Sequence, residues 1–351
     1  MPNQAEFIAN SMKAVFSRLQ DTQSRMIFQE RLQYFLSGET CHLMNVLKIS
    51  DMFETKWRTI LDLIRDPLLS GRECILYGAG YYSRMAMEML QGSTLKVIAF
   101  CDKNPSKSVK EGLPVLLPKQ LSSHMDKIIL ISSVVYRDEI FEVLCEMGFP
   151  KEQVFSLGRF DEQYFGNDFL KPLPDEIYVD AGCYDGYTIK RFFKFCEGRY
   201  RKIYGFEPVA EHFGLTRKCV EDLGLDDVKI INKAVWSEDA VLRFALNGEG
   251  SNIANSGDSS IEATTVDAVV GDDAVTLIKM DVEGAELAAL KGAAHTILRY
   301  KPRLAICVYH KPEDIVSIPV YIHSLVPEYK FYLRHHDCDQ RYMETVLYAV
   351  I

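Results

Sequence analysis

The feature that most constrains this chain is a pattern that runs twice: a short apolar run ends in glycine or an acid, and a helix-like stretch follows. It begins at Glu73, where "ECILYGAG" leads into "YYSRMAMEML". "LKVIAFCDKNP" and "KIILISSV" come next, then the amphipathic "RDEIFEVLCEMGF". Strands and helices alternating at these lengths build a parallel, doubly wound sheet with right-handed crossovers. Near "LKPLPDE" (170–176) two prolines break the pattern, and it then restarts. "EIYVDAG", "KIYGFEP", "VKIINKAV", "TLIKMDV" and "RLAICVYH" read as five more parallel strands, most of them separated by helical stretches. The chain closes on "KFYLRHH" and "ETVLYAVI" around the polar "DCDQRYM", which predicts an antiparallel hairpin.

Before Glu73 the chain reads as helices. Phe7, Ile8, Met12, Val15, Phe16 and Leu19 recur at helical spacing, and "RMIFQERLQYFL" and "KWRTILDLIR" repeat that spacing. The expected organisation is a helical segment at 1–71, a small Rossmann-like domain at 72–160 and a larger α/β domain of nucleoside-binding layout at 161–351. A length of 351 residues suits two domains with substantial cores. The N-terminal helices carry no cluster of chemistry-bearing residues. They read as a cap or as a contact between copies of the chain, so a homo-oligomer is the partner expectation.

Composition excludes several classes. The net charge of −9 is spread along the chain rather than gathered in a tail, which gives no pull toward nucleic acid or anionic membrane. None of the nine cysteines falls into C-x-x-C spacing, and several sit in apolar runs where Cys behaves as a small hydrophobe. A reducing, cytoplasmic compartment is expected. The first residues lack the apolar core of a signal peptide, and no run of 18 apolar residues occurs. The expectation is a soluble protein with no membrane span and no nucleic-acid partner.

The second α/β region carries the chemistry at its strand ends. "YVDAGCYDGYT" (178–188) places Asp180, Gly182 and Gly186 at the exit of its first strand. Glycines there permit a tight turn and a close approach of backbone to ligand, and the next helix aims free N–H groups at it. Ligands in such sheets bind at the carboxyl ends of the strands. Glu207 ends the second strand, 25 residues beyond Gly182, and a carboxylate there can accept hydrogen bonds from both hydroxyls of a ribose. Ala234 and Val235 follow the third strand, where an adenine face can pack. The fourth strand ends in "KMDVEGAE", with Asp281 and Glu283 two residues apart and so directed to the same side. Gly284 lets the backbone leave the strand. Glu286 falls in a first helical turn, where an acid offsets the helix dipole. "RLAICVYH" delivers His310 near the same mouth, as a base, a substrate donor or, with Asp281 and Glu283, a metal ligand; the spacing leaves these open. In "LRHH", Arg334 and His336 point to one side of a strand and His335 to the other, and Arg334 is the candidate for substrate contact.

Asp180-x-Gly182-x-x-x-Gly186, Glu207-Pro208, Lys233-Ala234-Val235, "TTVD" (264–267) and "KMDVEGAELAALKGA" together resemble the FkbM-type family of S-adenosylmethionine-dependent methyltransferases. The likeness covers about residues 175 to 351. One departure is Tyr184, where many members carry Asn; the turn itself is kept. The resemblance implies a class I methyltransferase fold and O-methylation of a saccharide or sugar-nucleotide hydroxyl. On that basis S-adenosylmethionine is held by Asp180, Gly182, Tyr184, Gly186, Glu207, Pro208, Ala234 and Val235. The proton-accepting pocket is formed by Asp281, Glu283 and His310, with a divalent metal left open.

The upstream "LYGAGYYSR" resembles the small nucleotide-binding domains of sugar-modifying enzymes. Gly78, Gly80 and Ser83 follow a strand, and Asp102 ends the next one, 22 residues after Gly80. This is a candidate second nucleotide site, although Ser83 replaces the third glycine. An NAD-linked oxidoreductase and a non-catalytic nucleotide-sugar binder are the alternative functions; no residues suited to hydride transfer accompany the motif.

Overall fold

The computed structural model describes residues 4–50, 52–105, 108–133, 136–157, 163–245, 252–253, 259–336 and 343–351. The chain divides into two compact units, residues 1–50 with 161–351, and residues 51–160. The N-terminal helices are shared between them. Helices α1 (Gln4–Arg18), α2 (Thr22–Ser37) and α3 (Cys41–Ser50) belong to the larger unit, and α4 (Met52–Arg65) belongs to the smaller. Local periodicity marks a helix but not the unit that will cover its apolar face, so the four read alike in sequence.

In the smaller unit, strands β1 (Glu73–Tyr77), β2 (Lys96–Cys101), β3 (Val109–Lys110), β4 (Leu113–Leu116), β5 (Ile128–Ile131) and β6 (Val154–Ser156) form one sheet in the order β3-β4-β2-β1-β5-β6. Every pairing is parallel except β3 with β4. Helices α5 (Tyr81–Leu90) and α6 (Arg137–Glu146) connect the strands expected from sequence. Strands β3, β4 and β6, of two, four and three residues, are too short to stand out beforehand.

The larger unit holds β7 (Glu176–Ala181), β8 (Tyr200–Phe206) and β9 (Val228–Ile231), with α7 (Tyr187–Phe195) and α8 (Ala210–Asp222) between them. A small sheet follows, built from β10 (Ala234–Val235), β11 (Ala240–Ala245), β12 (Asn252–Ile253) and β13 (Ser259–Thr264), and nothing in the alternating pattern announced it. After α9 (Val266–Val270) come β14 (Leu277–Met280), α10 (Glu286–Lys291), α11 (Ala294–Tyr300), β15 (Arg303–Cys307), α12 (Asp314–Leu325), β16 (Lys330–His335) and β17 (Thr345–Val350). The main sheet runs β16-β17-β15-β14-β7-β8-β9. Its five strands β9, β8, β7, β14 and β15 are parallel, and β17 and β16 are antiparallel, as the closing hairpin required. The polar turn of that hairpin, residues 337–342, lies outside the described residues. This is the doubly wound α/β fold with a terminal antiparallel hairpin expected from the sequence.

The pleat sorts each strand between two cores. Ile177, Val179 and Ala181 of β7, with Ile278 and Met280 of β14, join one core beneath α10, α11 and α12. Tyr178 and Leu277 face the other, with Ile189 and Phe192 of α7 and with Tyr164 and Phe165. The N-terminal helices complete the first core: Val15, Leu19, Ile27 and Phe28 are buried in it. The Gln20 N–H donates to the Phe331 carbonyl at 3.0 Å, and the Leu333 N–H to the Ser24 hydroxyl at 2.9 Å, so the segment is stitched to β16. No helix among the described residues is long and apolar enough to cross a membrane. All eight cysteines among the described residues are free.

Candidate functional site

At the carboxyl end of β7 the chain turns through Gly182 (φ 80°), Tyr184 (φ 51°) and Gly186 (φ 87°) before α7 begins. Gly182 is required by space as well as by φ, because a Cβ there would lie 2.0 Å from the Asp281 carbonyl oxygen. The turn is fastened to β8: the N–H groups of Gly182 and Cys183 both donate to the Phe206 carbonyl, at 3.0 and 3.1 Å.

Asp180 does not face the open side of this turn. It is fully buried beneath it, 3.0 Å from the Lys279 ammonium, and it accepts a hydrogen bond from the Thr188 hydroxyl. Lys279 also donates to the Gly182 carbonyl at 2.6 Å. Burial opposes the charge on Lys279, but Asp180 and Asp281 outweigh it and hold the ammonium firmly protonated. Lys279 was not singled out from sequence. A lysine inside the apolar strand "TLIKM" was the available signal, since a buried ammonium needs a carboxylate.

Glu207 stands where a ribose-binding acid was expected. It is 5% exposed, and its two oxygens accept from the Tyr184 and Val209 N–H groups, at 3.0 and 2.9 Å. Each oxygen keeps a further lone pair. Burial raises this carboxyl to about 7. The exposed Tyr184 ring lies 4.1 Å from the His212 ring of α8, so the two make an aromatic wall beside the acid. His212 is a second residue the sequence did not reveal. Pro208 adjoins Glu207, and its carbonyl accepts from Asn232 at 3.1 Å. Ala234 and Val235 are placed differently from expectation: both are buried, pairing in β10 with β13, and Val235 belongs to the core rather than to a surface shelf.

One strand over, Asp281 follows β14. Its carboxylate accepts from the Tyr164 hydroxyl at 2.9 Å and the Tyr309 hydroxyl at 3.2 Å. Burial works against its charge, but Lys279, His310 and the two hydroxyls bring this carboxyl below its ordinary value. Burial, then Asp281, raises both tyrosines well above theirs, so they remain donors. Glu283 adopts φ 54° and Gly284 φ 89°, which carries the backbone out of the strand. A non-glycine residue in this region is strained by about 1–3 kcal/mol, and such strain gathers at functional sites.

His310 lies three residues past β15, and carboxylates enclose its ring. Nε2 is 3.5 Å from Asp281 Oδ1 and 3.4 Å from Glu283 Oε2, and Nδ1 is 2.9 Å from Glu286 Oε1. The Nδ1 contact is close but not aligned for an N–H bond, and neither ring nitrogen has a hydrogen-bond partner among the described residues. Burial disfavours charge on the imidazole, yet Glu283, Glu286 and Asp281 together raise it to about 10. Glu286, read from sequence as a dipole-offsetting acid, is fully buried and also accepts from the Val282 N–H at 2.9 Å. The structure thus brings Asp281, Glu283 and His310 together and adds Tyr164, Lys279, Glu286 and Tyr309.

Arg334 is not held ready for a substrate. Its guanidinium pairs with Asp21 at 2.6 Å, donates to Ser24 at 3.1 Å and lies over the Phe169 ring, so it fastens α2 to β16. His335 is buried against Thr345, and His336 contacts the Tyr348 hydroxyl at 3.0 Å.

In the smaller unit the glycine turn closes on itself. Asp102 accepts from the Ala79 N–H at 2.8 Å and from the Asn104 N–H at 2.9 Å. Lys110 donates to the carbonyls of Ala79 and Gly80 and to the Ser83 hydroxyl, at 2.5, 2.8 and 2.9 Å. Ser83 is fully buried. Gly78 (φ 109°) is needed for the turn, but a Cβ at Gly80 would meet no atom of the described residues within 4 Å.

Residues 180–342 match the family model described as the methyltransferase FkbM domain. The larger unit carries an FkbM-type methyltransferase domain. Residues 70–155, in the smaller unit, match a second model described as C2185-like, N-terminal. Among solved structures, a methyltransferase FkbM from Methylobacillus flagellatus KT is 18% identical with a TM-score of 0.48, over 85% of this chain and 99% of that one. An rRNA methylase from Streptococcus thermophilus is 18% identical with a TM-score of 0.34, over 52% of this chain and 88% of that one. A UDP-D-quinovosamine 4-dehydrogenase from Vibrio fischeri is 24% identical with a TM-score of 0.23, over 28% of this chain and 86% of that one. No curated protein matches the chain.

Proposed function

We propose that the FkbM-type domain binds S-adenosylmethionine across the Gly182–Gly186 turn and directs its methyl group to a hydroxyl of a saccharide or sugar-nucleotide. The observation that carries this reading is the buried carboxylate of Glu207. It is oriented by two backbone N–H groups, retains acceptor capacity, and stands beside a turn that has no room for a Cβ at Gly182. A ribose diol suits those free lone pairs, and the Tyr184–His212 wall suits a flat ring beside it. S-adenosylmethionine supplies an activated methyl group on a cationic sulfonium, and the carboxylates at the end of β14 complement that charge.

The chain's own residues handle the hydroxyl. Asp281, fixed by Tyr164 and Tyr309, and Glu283, 43% exposed, flank the place where the proton must go as the oxygen attacks. Both nitrogens of His310 face carboxylates, so we assign His310 to orienting the pair rather than to taking the proton. The acceptor class rests on the family resemblance.

Titration calorimetry with S-adenosylmethionine and with NAD tests the reading. Binding of the first and not the second by the intact chain, weakened at least tenfold by Glu207→Ala, is the expected result. Unchanged affinity in that variant overturns the ribose assignment. Tight NAD binding with turnover of an alcohol overturns the methyltransferase reading.

A further inference from the structure

The pocket beside β14 has more buried acceptors than its own donors satisfy. Asp281, Glu286 and His310 each bring one ligand atom to within 4.8 Å of the others. Glu286 is fully buried, and its Oε2 has no hydrogen-bond partner among the described residues. The His310 side chain is 7% exposed, and among the described residues both ring nitrogens lack a hydrogen bond. Buried polar atoms are almost always paired with protein, water or a bound ion, so three such atoms gathered in one cluster can take a shared ligand. Nε2 stands 3.5 Å from Asp281 Oδ1 and 3.4 Å from Glu283 Oε2. These spacings are long for hydrogen bonds.

We infer that Asp281, Glu286 and His310 form a site for one divalent transition cation, with Glu283 beside it and outside the ligand set. Carboxylates with a single imidazole suit Mn²⁺ better than a soft-ligand metal such as Cu(I). The surrounding groups fit such a site. Tyr164 and Tyr309 donate to Asp281 and fix its direction, as outer partners of metal-binding carboxylates do. The cation's role rests on the methyl-transfer reading: when bound it would acidify an acceptor hydroxyl beside it, and Glu283 would take the proton. Binding of the cation does not depend on that reading.

The test uses the full chain, freed of metal by chelation and dialysis, with Mn²⁺ alone as the probe. Calorimetry and the loss of the free Mn²⁺ paramagnetic resonance signal count bound ions. The expected result is one ion per chain, with affinity reduced at least tenfold in His310→Ala and in Asp281→Asn and unchanged in His42→Ala. The last variant controls for the other cluster of this kind, Glu39, Cys41 and His42. No binding by the unaltered chain overturns the inference, as does an ion retained equally in folded His310→Ala and Asp281→Asn. Loss of the ion only in His42→Ala overturns it too. S-adenosylmethionine affinity, measured on the same samples without metal, reports separately on the function proposed above.

Discussion

The Lys279 ammonium lies 3.0 Å from the Asp180 carboxylate, and both side chains are at most 2% exposed. The pair sits directly under the glycine turn, and Lys279 also holds the Gly182 carbonyl. Removing one partner strands a buried charge, which typically destabilises a protein by about 3–5 kcal/mol. Lys279→Met is therefore expected to lower the unfolding free energy by about that amount. Asp180→Asn combined with Lys279→Met should be less damaging than the two single changes added together. Chemical denaturation of the three variants checks both statements, and strict additivity refutes the pairing.

Glu207 makes cofactor affinity depend on pH. Its carboxyl is raised to about 7 by burial, and its ionised form is the better acceptor for ribose hydroxyls. Affinity for S-adenosylmethionine should accordingly be full above pH 8 and fall by about tenfold by pH 6. In Glu207→Gln that slope should vanish along with part of the affinity. A flat profile in the unaltered protein means that Glu207 does not meet the ligand.

Gly182 and Gly80 occupy comparable turns, but the structure separates them. At Gly182 a Cβ would lie 2.0 Å from a carbonyl oxygen, whereas at Gly80 it would meet no atom of the described residues within 4 Å. Gly182→Ala is expected to cost well over 1 kcal/mol and to abolish S-adenosylmethionine binding, while Gly80→Ala costs about 1 kcal/mol or less and leaves binding intact. Thermal melts with parallel calorimetry decide the matter, and equal effects at the two positions contradict the assignment.

Asp281 and Glu283 should affect turnover more than cofactor binding. With an identified acceptor, Asp281→Asn or Glu283→Gln is expected to reduce kcat by about 10²-fold or more, with the cofactor Kd changed only a few-fold. Near-normal kcat in both variants moves the chemistry elsewhere in the pocket.

Much of this protein can be read along the chain because its signals are local. Period-two apolar runs, glycines at strand exits and acids at strand ends report directly on the backbone that carries them. The five parallel strands, the closing hairpin, the Gly182–Gly186 turn and the Asp281–Glu283 pair were all legible in this way. Tertiary structure decided which side of a turn a charge occupies. Asp180 turned inward because Lys279, 99 residues later, offers it a buried partner. Arg334 went to Asp21 because α2 covers β16. Tyr164 reached Asp281 across 117 residues of chain. Ion pairs and hydrogen bonds act over about 3 Å of space regardless of sequence separation, so these partners exist only once the sheet has assembled. The chain determined which residues stand at the strand ends; packing determined which of them stay open and which hold the framework.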